Sequence, residues 1–197
     1  MKTFVLWLTG LPASGKSKLA DNLALELNKL GFYPETINSG RLRRTPLGGN
    51  LGFSRKEREQ NIRRHALAAQ LLMQNHMIPI VSAVSPYRTD RELIRSELKD
   101  FVEIHVSTPP VHCQLHDKTG NWEKALKGEI ENFTGVSAPY EAPTQPELDC
   151  DLSTESIDEA TKRIIQFLYL KNWLVDSDNL QTEIEELTQK LKKFGYL

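Results

Sequence analysis

Gly10-Leu11-Pro12-Ala13-Ser14-Gly15-Lys16-Ser17 fits the pattern G-x-x-x-x-G-K-[ST], and its flanks decide how it is read. Before it comes Phe4-Val5-Leu6-Trp7-Leu8-Thr9, an apolar run that reads as a buried strand. After it, Lys18-Leu19-Ala20-Asp21-Asn22-Leu23-Ala24-Leu25-Glu26-Leu27 has helical periodicity. A glycine-rich turn between a strand and a helix N-terminus gathers backbone N–H groups and the positive end of the helix dipole, which makes an anion site. The pattern predicts that Gly10, Pro12, Ala13, Ser14, Gly15, Lys16 and Ser17 surround the phosphates of ATP. Lys16 supplies a point charge for the β and γ phosphates and acts in catalysis, and Ser17 Oγ is the expected protein ligand for Mg²⁺.

Outward from this loop the chain alternates strand and helix. The second strand is expected at Phe32–Ile37, the third at Ile78–Val84, the fourth at Phe101–Val106 and a short fifth at Cys150–Leu152. Gly31 suits the end of the first helix. Ser54-Arg55-Lys56-Glu57, Thr89-Asp90-Arg91-Glu92 and Ser156-Ile157-Asp158-Glu159 read as capping boxes opening helices to about His76, Leu98 and Lys171. Pro109-Pro110 opens a short helix to about Leu115. Residues 38–53 read as a loop rich in Gly and Arg, and 116–148 as a mobile lid rich in Gly, Pro and charge. The fold class that follows is α/β: a P-loop NTPase-type parallel sheet of about five strands, covered by helices on both faces. Ligands then sit beyond the carboxyl ends of the strands.

The 197 residues divide as a domain over 1–172 and a C-terminal extension over 173–197. In the extension Leu180, Ile184, Leu187, Leu191 and Phe194 mark an amphipathic helix, which either packs on its own domain or serves a dimer contact. A net charge of −1 gives no global attraction to nucleic acid or to an anionic membrane. No apolar run has transmembrane length and the chain leads straight into a core strand, so a cytoplasmic protein is expected. Cys113 and Cys150 read as reduced thiols, and His65, His76, His105, His112 and His116 show no ligand spacing. Arg41, Arg43, Arg44, Arg55, Lys56, Arg58, Arg63 and Arg64 crowd one segment. Such a run is either a solvated face or, this close to a phosphate loop, a site for a second anionic substrate.

Further stretches carry a family resemblance. Asn50-Leu51-Gly52-Phe53-Ser54, Arg58-Glu59-Gln60-Asn61-Ile62-Arg63-Arg64, Val84-Ser85-Pro86-Tyr87-Arg88, Phe133-Thr134-Gly135 and Pro139-Tyr140-Glu141-Ala142-Pro143 follow the phosphate loop in order. With them the chain resembles adenylyl-sulfate (APS) kinases over roughly residues 4–170. The resemblance implies transfer of the γ-phosphoryl of MgATP to the 3′-hydroxyl of APS, giving PAPS, in a protein that commonly forms homodimers. It implies that Phe53 and Phe133 sandwich the adenine of APS and that Arg43, Arg58 and Asn61 hold its phosphosulfate and ribose. Ser85 and Pro86 contact the same substrate, Ser85 with a catalytic role, and the 116–135 segment closes over both nucleotides.

Two stretches depart from the family. Where its frame reads L-D-G-D-x-x-R, this chain has Ile37-Asn38-Ser39-Gly40-Arg41-Leu42-Arg43, without either aspartate. Where the lid reads R-D-x-K-G-L-Y, it has His116-Asp117-Lys118-Thr119-Gly120-Asn121-Trp122. Three readings follow: an APS kinase working without its usual carboxylate, a kinase for another nucleotide or small alcohol with a base from Asp90, Asp117 or Glu129, and a nucleotide-binding relative that does not turn over.

Overall fold

The computed structural model describes residues 2–46 and 48–174, so the expected C-terminal amphipathic helix lies outside the described residues. Five strands form one parallel sheet in the order β2-β3-β1-β4-β5. They are β1 (Val5–Gly10), β2 (Pro34–Asn38), β3 (Ile78–Ser82), β4 (Phe101–Val106) and β5 (Leu148–Cys150). Seven helices connect and cover them: α1 (Lys16–Lys29), α2 (Ser39–Leu42), α3 (Arg55–Gln74), α4 (Arg88–Glu97), α5 (Pro110–Leu115), α6 (Asn121–Leu126) and α7 (Ile157–Leu170). No described helix is long and apolar enough to cross a membrane.

β1 lies centrally and is buried along its whole length, so its side chains serve two cores in alternation. Phe4, Leu6 and Leu8 face one layer, with Leu19, Leu23 and Leu27 of α1 and Ala160, Ile164 and Leu168 of α7. Val5 and Trp7 face the other, with Ile62, Ala66 and Ala69 of α3 and Ile94 of α4. Cys113 and Cys150 are free and buried.

Helix ends follow the local chemistry in most places. The Ser54 and Ser156 boxes are complete, each serine accepting from the backbone of Glu57 or Glu159 while that glutamate reaches back. α1 ends in a Schellman turn: Phe32 N–H donates to Leu27 O and Gly31 N–H to Asn28 O, both at 3.0 Å.

The structure corrects the expected organisation in five places. β3 stops at Ser82, because Thr9 Oγ1 donates to Val84 O at 2.8 Å and Ser85 turns to φ 43°, which takes the chain out of the sheet. β5 ends at Cys150, because the Asp151 carboxylate accepts from Ser153 N–H at 2.9 Å and closes a local turn. α4 starts at Arg88 rather than from a Thr89 box: its first N–H is capped from a distant segment, Glu141 Oε2 accepting at 2.8 Å. The 38–53 loop contains α2, which Asn38 caps by accepting from Arg41 N–H at 3.0 Å. The 116–148 segment contains α6, whose Trp122 and Ala125 are buried.

Gly31 sits at φ 82°, and a Cβ built there would meet nothing within 4 Å. Gly31→Ala therefore isolates the backbone cost of the left-handed conformation. A loss of about 1 kcal/mol in urea-unfolding stability is expected, and an unchanged midpoint would contradict this account of how α1 ends.

Candidate active site

The phosphate loop leaves β1 at Gly10, beside the end of β4. Gly15 caps α1 in the left-handed region, and a Cβ there would lie 2.5 Å from Leu152 Cδ1. The loop is braced from outside, Thr108 Oγ1 donating to Ser14 O at 2.9 Å. Lys16 is 7% exposed and turns back into the loop, donating to Leu11 O at 2.5 Å and to Ser14 Oγ at 3.1 Å. Burial pushes its ammonium down from 10.5 to about 7. Ser17 Oγ lies 3.3 Å from Ser82 Oγ.

A second pocket lies past the carboxyl end of β3, and its wall is joined to the base of the loop by Thr9, whose hydroxyl donates to Val84 O. Ser39, Arg43, Phe53, Arg58, Asn61, Ile62, Ala83, Val84, Ser85 and Pro86 line it. Six of the seven expected acceptor-site residues thus meet in one place. Phe133 is the exception: its ring packs edge-on against Trp122 at 5.2 Å. The pocket encloses about 60 Å³, whereas small-molecule sites run from about 300 Å³. Its closed shape has a visible cause. The Arg43 guanidinium covers the Phe53 ring at 4.3 Å, held by Leu51 O and Gly52 O at 2.8 and 3.0 Å. A nucleotide base stacks on the face that Arg43 covers only after Arg43 leaves it. Burial holds Arg43 and Arg58 below the ordinary guanidinium value, and Arg43 adds repulsion at Arg58, so an anion placed between them relieves both.

Asn61 presents its amide to the pocket by donating to Ser39 Oγ at 3.1 Å. Among the described residues no Asp or Glu lines this pocket. Asp90 is committed to Arg55 through two hydrogen bonds of 2.8 and 2.6 Å, and Asp117 to the backbone of Thr119 and Trp122 at 3.0 and 2.8 Å. Glu129 is exposed outside it. None of the three expected alternative bases lines this pocket. A larger cavity of about 500 Å³ is lined by Leu11, Pro110 and Gly135–Tyr140, with no charged side chain among the described residues of its wall.

The pocket's Ser85-Pro86 edge is held by groups that sequence patterns alone do not single out. Ser85 is 2% exposed, and its Oγ accepts from Trp7 Nε1 at 3.0 Å. Arg91, also 2% exposed, donates to Ser85 O at 2.6 Å, to Glu141 O at 2.7 Å and to Glu103 Oε1 at 2.7 Å. Arg95 and Glu147 extend this ion-pair network on the same side of β4. The 116–135 segment, expected to close over the nucleotides, is joined to the rest of the fold through Trp122 Nε1, which donates to Pro12 O at 3.0 Å, and Asn132 O, which accepts from Arg58 Nη2 at 2.6 Å. Arg91 goes with the S-P-Y-R stretch in the family resemblance and falls in the expected Thr89 box, but neither gives it this role. Trp122 falls where the lid departs from the family frame, and Trp7 reads as core.

A parallel sheet in this order, with the glycine loop running from its central strand into α1, defines a P-loop kinase fold. The family description Adenylylsulphate kinase matches residues 2–151. An adenylyl-sulfate kinase of Thermodesulfovibrio yellowstonii is 43% identical over 169 residues, covering 85% of this chain and 84% of that protein. One from Picosynechococcus is 41% identical over 163 residues, covering 83% and 92%. The structure of the Mycobacterium tuberculosis APS kinase CysC in complex with AMPPNP and APS superposes with a TM-score of 0.81 at 34% identity, over 85% of this chain and 98% of that one. The chain belongs to the adenylylsulphate kinase family.

Lys16 yields a pH test. Its folded value near 7 lies below the 10.5 of the free side chain, so between those values the unfolded chain binds more protons and stability rises with pH. Phosphate oxygens beside Lys16 reverse the shift. ADP binding at about pH 8.5 is therefore expected to take up close to one proton, and far less at about pH 6. Calorimetry in buffers of different ionisation enthalpy reads this number. Equal uptake at both pH values would remove Lys16 from the phosphate site.

Proposed function

We propose that this chain transfers the γ-phosphoryl of ATP to the 3′-hydroxyl of adenylyl sulfate, giving PAPS. The observation that carries the reading is the convergence of Arg43, Phe53, Arg58, Asn61, Ser85 and Pro86 in one pocket past the carboxyl end of β3, joined to the base of the phosphate loop through Thr9. That set offers two cations, one half-exposed aromatic face and neutral hydrogen-bonding groups, which together suit an adenine nucleotide with an anionic tail.

Each residue has a physical task in this reading. The loop N–H groups and Lys16 hold the triphosphate and offset charge on the transferred group. Arg43 and Arg58 exchange their backbone carbonyl partners for the acceptor's anion, and Arg43 frees the Phe53 ring as it moves. Arg58 also grips Asn132 O, so acceptor binding and lid position share one side chain. Asn61 orients the ribose. Ser85, with its hydroxyl held by Trp7, works through backbone placement of the pocket edge. Phe133 completes an adenine sandwich if the lid shifts its ring from Trp122 toward Phe53. Ser17 offers a hydroxyl oxygen at the phosphate loop, which fits Mg²⁺ carried mainly on the nucleotide phosphates. When bound, Mg²⁺ neutralises charge on the β and γ phosphates.

A second reading, binding without turnover, has its own observation behind it. The pocket lacks a carboxylate, and Asn38, in the place of a family aspartate, spends its side-chain oxygen on Arg41 N–H. A general base is worth about 10²–10⁴ in rate, and phosphoryl transfer relies mainly on positioning and charge, so turnover is slowed rather than forbidden.

Calorimetric titration with adenylyl sulfate in the presence of MgADP, then a PAPS-formation assay, separates these readings. Binding with slow product formation is expected. Arg58→Ala should weaken adenylyl sulfate by about tenfold or more. Asn38→Asp combined with Gly40→Asp should raise turnover. Binding with no product supports the second reading, and no binding at all removes adenylyl sulfate as the acceptor. We also propose assembly as a homodimer. Light scattering of the full chain should return twice the 22.5 kDa chain mass, and a monomer mass ends that part of the proposal.

A further inference from the structure

Ser82 closes β3 at the ligand end of the sheet. It pairs in register with Leu8 of β1 and with Asn38 of β2. The preceding residues Ile78, Pro79, Ile80 and Val81 are apolar and buried, so the strand carries its hydroxyl only at its last position. Ser82 is 4% exposed, and its Oγ lies 3.3 Å from Ser17 Oγ. Among the described residues no group of three or more His, Cys, Asp or Glu is placed to hold a metal.

A serine hydroxyl has one hydrogen to give and two lone pairs. When Ser17 Oγ turns a lone pair to a cation, its hydrogen must point away from the charge. Ser17 is exposed in this structure, and a bound nucleotide with its cation would cover it; the hydrogen then needs an acceptor on the protein side, because an O–H cut off from water without a partner is costly. Ser82 Oγ is placed to be that acceptor. We propose that Ser82 is a positioning residue for Mg²⁺: it accepts the Ser17 hydrogen and thereby aims the Ser17 lone pairs at the cation carried by the nucleotide. The inference rests on the reading that the phosphate loop binds MgATP. In it, a neutral hydroxyl on the strand beside β1 does the orienting that outer partners do for metal ligands in general.

The test compares ADP affinity with Mg²⁺ and with EDTA, by calorimetry, in wild type, Ser82→Ala, Ser82→Thr and Ser82→Val. Val matches Thr in shape without the hydroxyl, so the Thr–Val pair gives the comparison even if the Ala variant folds poorly. In EDTA all four proteins should bind ADP within about twofold of one another. The gain in affinity on adding Mg²⁺ should fall about tenfold in Ser82→Ala and Ser82→Val, and persist in Ser82→Thr. An Mg²⁺ gain equal to wild type in Ala and Val overturns the proposal. So does an equal loss of ADP affinity with and without the metal, which marks a merely structural serine. A wild type that binds ADP with no gain from Mg²⁺ overturns it while leaving the nucleotide reading intact. A wild type that binds no ADP brings down the nucleotide reading itself.

Discussion

The Arg91 guanidinium, buried beneath the Ser85-Pro86 edge, is the constraint on which the acceptor side depends. A charge taken out of water stays there only when it is paired and hydrogen-bonded. Glu103 on β4 supplies the countercharge through Nε, and the carbonyls of Ser85 and Glu141 each accept one hydrogen from the two terminal nitrogens. Three segments far apart in sequence are thereby fixed to one planar group. Ser85 is held in a left-handed conformation that it would not choose alone, and Glu141 is placed to cap α4. The shape of the pocket edge is thus a result of electrostatic satisfaction at one side chain.

Charge is distributed unequally around the two ligand regions. The acceptor pocket is cationic and without carboxylates, and it is closed by its own arginine lying on its own aromatic ring. The phosphate loop is likewise occupied by its own lysine, folded against the Leu11 carbonyl. In both places a cation that would meet a ligand anion is parked on a neutral protein group. In the proposed reading, ligand binding is an exchange of partners rather than the filling of a preformed cleft.

Much of this was legible in the chain itself, and the boundary has physical causes. The strand–loop–helix around Gly10–Ser17, the two serine-led boxes and the extent of β4 depend on nearest neighbours, and the sequence pattern carries them. Long-range partners overrode the pattern elsewhere. Thr89 looks like a cap because Glu92 follows three positions later, yet Glu141, more than fifty residues away, performs the capping. Val84 is as apolar as the strand before it, yet the Thr9 hydroxyl takes its carbonyl and ends the sheet. Residues 116–148 have a loop's composition, yet the Trp122 indole has a fixed acceptor on the phosphate loop and orders a helix around itself. The pocket residues were found as a set because the family motifs name them. Trp7, Ser82 and Arg91 do their work through contacts that no spacing rule encodes.

The Asn38 cap bears on how such a chain changes over time. Asparagine and aspartate are nearly equivalent at a helix N-cap, and here the side-chain oxygen accepts from Arg41 N–H as either residue could. Replacing the family's aspartate with asparagine therefore keeps the cap while it removes a negative charge from the carboxyl end of β2. The side chain is buried, so the neutral residue also avoids the cost of taking a carboxylate out of water. A demand for the fold alone favours asparagine here, and only a demand for the charge would hold the position to aspartate.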